Sequence, residues 1–138
     1  MTNPLNPLAF VIEDDADIAG FLAEALRSAG FDVEVSADGR RALQRLAEIR
    51  PDAIVLDLNL PHVSGETILR FIRADERLAR IRVILTTAEA QHAEAIKDDA
   101  DLVLLKPISY TQLRDLAQRI RSLVLRDDSL SPKAPHVD

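Results

Sequence analysis

Asp57 closes the apolar run Ala53-Ile54-Val55-Leu56, and Glu13 and Asp14 close another, Phe10-Val11-Ile12. A carboxylate that ends a buried strand sits where the sheet meets solvent. In an open parallel sheet the carboxyl ends of the strands are where ligands bind. If the two strands are neighbours, three carboxylates converge in one pocket. At a separation of about 5 Å and an effective dielectric of about 20, each pair repels by roughly 3 kcal/mol. Such a pocket is tolerable when it holds a cation or when one group is protonated. The cluster is therefore a candidate ligand site rather than scaffolding.

The elements that must position it alternate along the chain. Short apolar runs predict strands at 8–13, 32–35, 52–57, 81–86 and 102–105. Between them, Ile18, Phe21, Leu22, Ala25, Leu26 and Ala29 form a helical stripe over 15–29, with Asp15 as N-cap. Gly30 follows as a C′ residue, and Phe31 is placed for the accompanying apolar contact. Further helices are expected at 39–49, stopped by Pro51, and at 65–74, with Ser64 as N-cap. A short, poorly patterned helix is expected at 89–97 and a last one at 109–125. Five β-then-α units imply a parallel sheet with helices on both faces. The runs 53–56 and 102–105 lack polar alternation, as central strands covered on both faces should.

Bulk composition narrows the function classes. With 138 residues, the chain is expected to form one domain over 8–126, with flexible ends at 1–7 and 127–138. It has no Cys, so thiolate metal sites, disulfides and cysteine nucleophiles are excluded. A net charge of -6 argues against nonspecific nucleic-acid binding as the main role. No apolar stretch approaches the roughly 20 residues of a membrane span. The first residues lack a basic region followed by an apolar core, so a cytoplasmic setting is expected. His62, His92 and His136 show no metal-ligand spacing and read as solvated. The arginines of the last helix, Arg114, Arg119, Arg121 and Arg126, read as a solvated face, with an acidic partner as the alternative.

Over about residues 8–125 the chain resembles the receiver domain of two-component response regulators. The resemblance lies in VIEDDADI (11–18), SADGRRAL (36–43), PDAIVLDLNLPHVSG (51–65), ILTTAEA (84–90) and LLKP (104–107). It implies a flavodoxin-like, doubly wound five-stranded parallel sheet of order 2-1-3-4-5 and a phosphoryl group accepted on Asp57. A divalent ion, Mg²⁺ with Mn²⁺ as a substitute, would be held by Asp14, Asp57 and the Asn59 backbone carbonyl, with Glu13 acting through water. Lys106 would contact one phosphoryl oxygen and Thr87 another. Strand alternation sends Thr86 and Thr87 to opposite sides, and the family register selects Thr87. The family also carries a cis bond at the position of Lys106-Pro107, which would aim the lysine into the pocket.

Two departures from the family pattern bear on output. Val103 stands where a Tyr or Phe is usual, and the interval from Thr87 to Lys106 is about three residues shorter than usual, close to one helical turn. Both imply an atypical output face. Asn59 and Glu89 occupy the positions that tune loss of the phosphoryl group, and an amide with a carboxylate there implies a short-lived phosphorylated state. The expected upstream partner is a histidine kinase or a histidine phosphotransfer domain, meeting the first helix. The downstream target is a protein of unknown identity, with no direct nucleic-acid contact and no membrane insertion, as in a stand-alone regulator, with a receiver cut from a longer regulator or hybrid kinase as the alternative. Self-catalysed phosphotransfer and dephosphorylation would make the chain a regulator rather than a classical enzyme. Three alternatives stand beside this reading. They are a degenerate receiver that binds partners without phosphorylation, an aspartyl-nucleophile phosphohydrolase built on Asp57-Leu58-Asn59, and a flavodoxin-like cofactor module.

Overall fold

Parallel strands cannot be joined by tight turns, so each crossover here is a helix, and the alternating pattern dictates a layered α/β sandwich. A computed structural model describes residues 6–130, with side chains through Arg126. The strands are β1 (Leu8–Ile12), β2 (Asp32–Ser36), β3 (Ala53–Asp57), β4 (Arg82–Thr87) and β5 (Leu102–Leu105). The helices are α1 (Ala16–Ser28), α2 (Gly39–Leu46), α3 (Gly65–Ala74), α4 (Ala90–Ile96) and α5 (Tyr110–Leu130), with a 3-10 turn at Lys97–Asp99 after α4. The sheet is wholly parallel in the order β2-β1-β3-β4-β5, the expected topology.

Alternation along the strands divides the core in two. Ala9, Val11, Val55 and Ile84 face α1 and α5, packing on Leu22, Ala25, Leu113 and Ala117. Phe10, Ile12, Ile54, Leu56 and Leu85 face the other way, onto Ala42, Leu46, Ile68, Leu69 and Ile72. β3 is buried at every residue, as its unbroken apolar run requires. The similar run of β5 misleads: this strand pairs with β4 alone and is an edge, and its Leu105 is 52% exposed. Apolar composition alone does not fix a strand's place in the sheet, and only Leu104 of this run is buried.

Local chemistry fixes the ends of the helices. The Asp15 side chain accepts from Asp17 N and Ile18 N, and that of Ser64 from Thr67 N, so both act as the expected N-caps. At the end of α1, Gly30 has φ +100° and its N–H bonds to Arg27 O, while Phe31 N bonds to Leu26 O. These two bonds form a Schellman motif, the ending that a glycine at C′ makes possible. Helix α2 stops at Leu46, three residues before the expected end, and Ile49 N still bonds to Arg45 O. Helix α5 continues to Leu130, so residues 127–130 are helical, whereas residues 1–5 and 131–138 lie outside those described. Arg121 is tied down rather than solvated, because its Nε donates to Gly30 O at 3.2 Å.

Candidate phosphoacceptor site

The strand order reverses direction between β1 and β3, which opens a crevice beyond their carboxyl ends. Ile12 pairs with Leu56, so the next rung carries Glu13 and Asp57 side by side. Carboxylate oxygens of Glu13, Asp14 and Asp57 all lie within 4.8 Å of one another. Glu13 and Asp57 are 1% and 3% exposed, while Asp14 is exposed at the rim. The convergence expected from the sequence is therefore real.

A cation of the chain itself answers the repulsion. Lys106 reaches over from the end of β5 and places Nζ 3.1 Å from Glu13 Oε1 and 3.4 Å from Asp57 Oδ2. The Lys106–Pro107 peptide is cis, as the resemblance implied. Burial pulls the Lys106 ammonium down. The hydrogen bond to Glu13 and the charges of Asp57 and Glu13 outweigh it, and the ammonium ends above its usual value. Glu13 is also raised, first by burial and then by the Asp57 charge, against the opposing pull of the Asp15 N–H and of Lys106. Its second oxygen, Oε2, accepts from Asp15 N at 3.1 Å, so both carboxylate oxygens are engaged. Asp14 accepts no such bond among the described residues and is exposed to solvent, while one of its oxygens joins the cluster.

The loop after β3 folds back onto Asp57. Asn59 N donates to Asp57 Oδ1 at 3.0 Å, and Leu58 N bonds to Thr86 O, which holds the strand end in register. Asn59 and Glu89 both lie exposed at the mouth. Exposed His62 follows with φ +67°, a left-handed conformation that a non-glycine residue adopts only where the turn demands it. Thr87 is buried at the end of β4, its carbonyl accepts from Lys106 N at 2.8 Å, and its hydroxyl accepts from Glu89 N at 3.0 Å. No hydrogen bond joins that hydroxyl to Asp57 or Lys106 among the described residues.

Sequence reasoning missed Gly65. A Cβ there would sit 2.7 Å from Leu58 Cα and against the Asp57 carbonyl oxygen, so α3 begins in direct contact with the backbone of Asp57 and Leu58. The available signal was a glycine in the first turn of a helix, where it weakens the helix by up to about 1 kcal/mol relative to Ala unless close approach requires it. His92 also departs from expectation, being half-buried with Nε2 3.5 Å from Glu66 Oε2.

Residues 9–118 match the response regulator receiver domain family. This chain belongs to it. The receiver is 35% identical over 133 residues to the DNA-binding dual master transcriptional regulator RpaA of Synechocystis sp., covering 94% of this chain and 54% of that protein. It thus spans about half the length of that curated relative. Chemotaxis response regulator CheY4 of Vibrio cholerae superimposes with a TM-score of 0.76 at 26% identity, covering 83% of this chain and 98% of that one. The receiver domain of sensor histidine kinase PA1611 from Pseudomonas aeruginosa has a TM-score of 0.77 at 29% identity, covering 85% and 98% respectively. That structure holds a magnesium ion coordinated in its active-site cleft. Family membership displaces the hydrolase and cofactor-module alternatives.

Val103 is half-buried against the cluster that contains Ile96, with no aromatic ring at that position. Helix α4 spans 7 residues with no side-chain cap, and only Ala93 and Ile96 are buried. The interval from Thr87 to Lys106 holds α4, the 3-10 turn and β5. No described helix is long and apolar enough to cross a membrane.

Proposed function

We propose that this receiver is a phosphorylation switch in which Asp57 takes a phosphoryl group from a phosphohistidine donor. The observation that carries this reading is the junction of Asp57 with Lys106, Glu13 and Asp14 at one strand switch point. A carboxylate oxygen of Asp57 forms the new bond to phosphorus as the phosphorus–nitrogen bond of the donor breaks, and the imidazole leaves with that electron pair. Lys106 offers a point charge to the phosphoryl oxygens, and Thr87 offers its hydroxyl once it turns from Glu89. Asp14, Asp57 and the Asn59 carbonyl would hold Mg²⁺, with Glu13 behind a water. Three clustered carboxylates suit a hard, oxygen-seeking cation, and Asp14 alone of them is exposed to solvent. When bound, such an ion supplies charge neutralisation between two anionic reactants. Attack of water on phosphorus later returns the carboxylate and inorganic phosphate, with Asn59 and Glu89 at the mouth setting its access.

Incubation with Mg²⁺ and acetyl phosphate tests the reading. One phosphate per chain is expected on a phosphate-affinity gel, lost when EDTA replaces the metal. A parent protein that takes no label favours phosphorylation-independent partner binding.

The same reading places the donor on α1. Ile18, Phe21, Leu22, Pro107 and Ile108 line an open apolar depression with Lys106 at its polar end. Phe21 is 39% exposed and meets Tyr110 edge to face, with ring centroids 5.8 Å apart. A partner helix that carries the phosphohistidine would lay an apolar face there. Phe21→Asp is expected to slow transfer from a phosphorylated histidine kinase or phosphotransfer domain at least about tenfold, the effect of losing a buried aromatic anchor. Labelling by acetyl phosphate, which needs no docking, should stay at the parental rate. Equal slowing with both donors would move the docking surface elsewhere. Signalling onward by protein contact, without direct nucleic-acid contact by these residues and in a cytoplasmic setting, completes the proposal. The longer relative named as DNA-binding is compatible with it.

A further inference from the structure

Thr86 and Thr87 end β4 side by side, and the chemistry proposed above uses only the second. We propose that Thr86 is a positioning residue for Lys106, its hydroxyl accepting a hydrogen bond from the ammonium when Glu13 and Asp57 turn to the phosphoryl group and its cation. This rests on the phosphoacceptor reading of the site.

Thr86 is 0% exposed, and its Oγ1 is a buried polar atom with no hydrogen-bond partner among the described residues. Such a hydroxyl carries its full desolvation penalty in the resting protein. Valine would have the same branched shape and the same preference for a strand without that penalty. A hydroxyl at this position therefore points to a partner that arrives in another state.

The sheet register identifies the partner. Thr86 pairs with Asp57 on one flank and with Leu104 on the other. Lys106 lies two residues past Leu104, and its N–H extends the ladder by bonding to Thr87 O. Residues two apart share a sheet face, so the Lys106 side chain starts on the face of Thr86, one strand away. It ends on Asp57 of β3 and on Glu13 just past β1, and so crosses β4 on the side where Thr86 is buried. An ammonium has three donors, and two are committed to these carboxylates. As the carboxylates engage a cation and an acyl phosphate, both bonds weaken, and the ammonium needs a new anchor to stay aimed at the phosphoryl oxygens. The hydroxyl of Thr86 lies on the strand being crossed and is committed to nothing. That of Thr87 is on the opposite face and already accepts from Glu89.

Thr86→Val separates this role from a structural one. The metal-free, unphosphorylated variant should melt at or above the parental temperature, because an unsatisfied group has been removed. Its labelling rate with acetyl phosphate at saturating Mg²⁺ should fall about tenfold, the effect of one hydrogen bond to a charged group. Thr86→Ser should restore most of that rate. In a Lys106→Ala background, Thr86→Val should slow labelling no further, since residues acting through one another are not additive. Parental labelling by Thr86→Val, full slowing in the Lys106→Ala background, or a lowered melting temperature would each overturn the assignment. A labelled parent with an indifferent Thr86→Val removes this inference alone, whereas an unlabelled parent removes the acceptor reading together with it.

Discussion

Asp57→Asn is expected to abolish covalent phosphate incorporation while leaving the fold in place. The amide keeps the shape of the side chain and can still accept from Asn59 N, which lies 3.0 Å from Asp57 Oδ1. It lacks the anionic oxygen that attacks phosphorus, so the loss is complete rather than graded. The neighbours cannot substitute. Both oxygens of Glu13 are held by Lys106 and by Asp15 N, and Asp14 sits at the rim. Stability should stay at or above the parental value, because two like-charge repulsions, with Glu13 and Asp14, disappear against the loss of one partner of Lys106. Intact-mass measurement after incubation with acetyl phosphate and Mg²⁺ checks the first expectation, and a thermal melt checks the second. An 80 Da adduct of the phosphoryl group on the variant, the mass of HPO₃ added to any acceptor, would move the acceptor elsewhere.

Gly65→Ala is expected to cost about 3 kcal/mol, near the upper end of ordinary overpacking. The added methyl would lie 2.7 Å from Leu58 Cα and against the carbonyl oxygen of Asp57. Both are backbone atoms, so no side chain can rotate away, and either α3 or the acceptor strand must move. The better helix propensity of alanine returns at most about 1 kcal/mol. Because the displaced backbone belongs to Asp57, labelling should slow along with the drop in urea midpoint. A variant of parental stability and labelling rate would mean that this approach is not rigid.

The sheet, the acidic crevice and two helix caps were legible because each rests on a local rule. Apolar runs of strand length separated by helical stripes specify a parallel sheet, and Asp15 and Ser64 precede their stripes where capping oxygens are needed. What escaped depends on contacts between distant segments. The apolar run at 102–105 reads the same for an edge as for a centre, and only pairing with β4 alone distinguishes them. That Lys106 would settle on Glu13, 93 residues away, is equally invisible in either segment. The continuation of α5 to Leu130 also overrides a local signal, since the residues after Arg126 show no apolar periodicity. The roles of Gly65 and Thr86 belong to this class, being defined by what stands across from them.

The hydrogen bond from Lys106 N to Thr87 O, 2.8 Å long, is the last rung between β4 and β5. It mounts the two residues expected to grip the phosphoryl group on one backbone bond, so their spacing does not depend on the chain that connects them. An insertion or deletion in that connection changes the surface offered to other molecules and leaves the rung intact. The crossover containing α4 is thus a part of the chain that evolution can shorten, lengthen or rewrite while the chemistry stays constant. The 7-residue α4 of this receiver lies in that crossover, outside the rung.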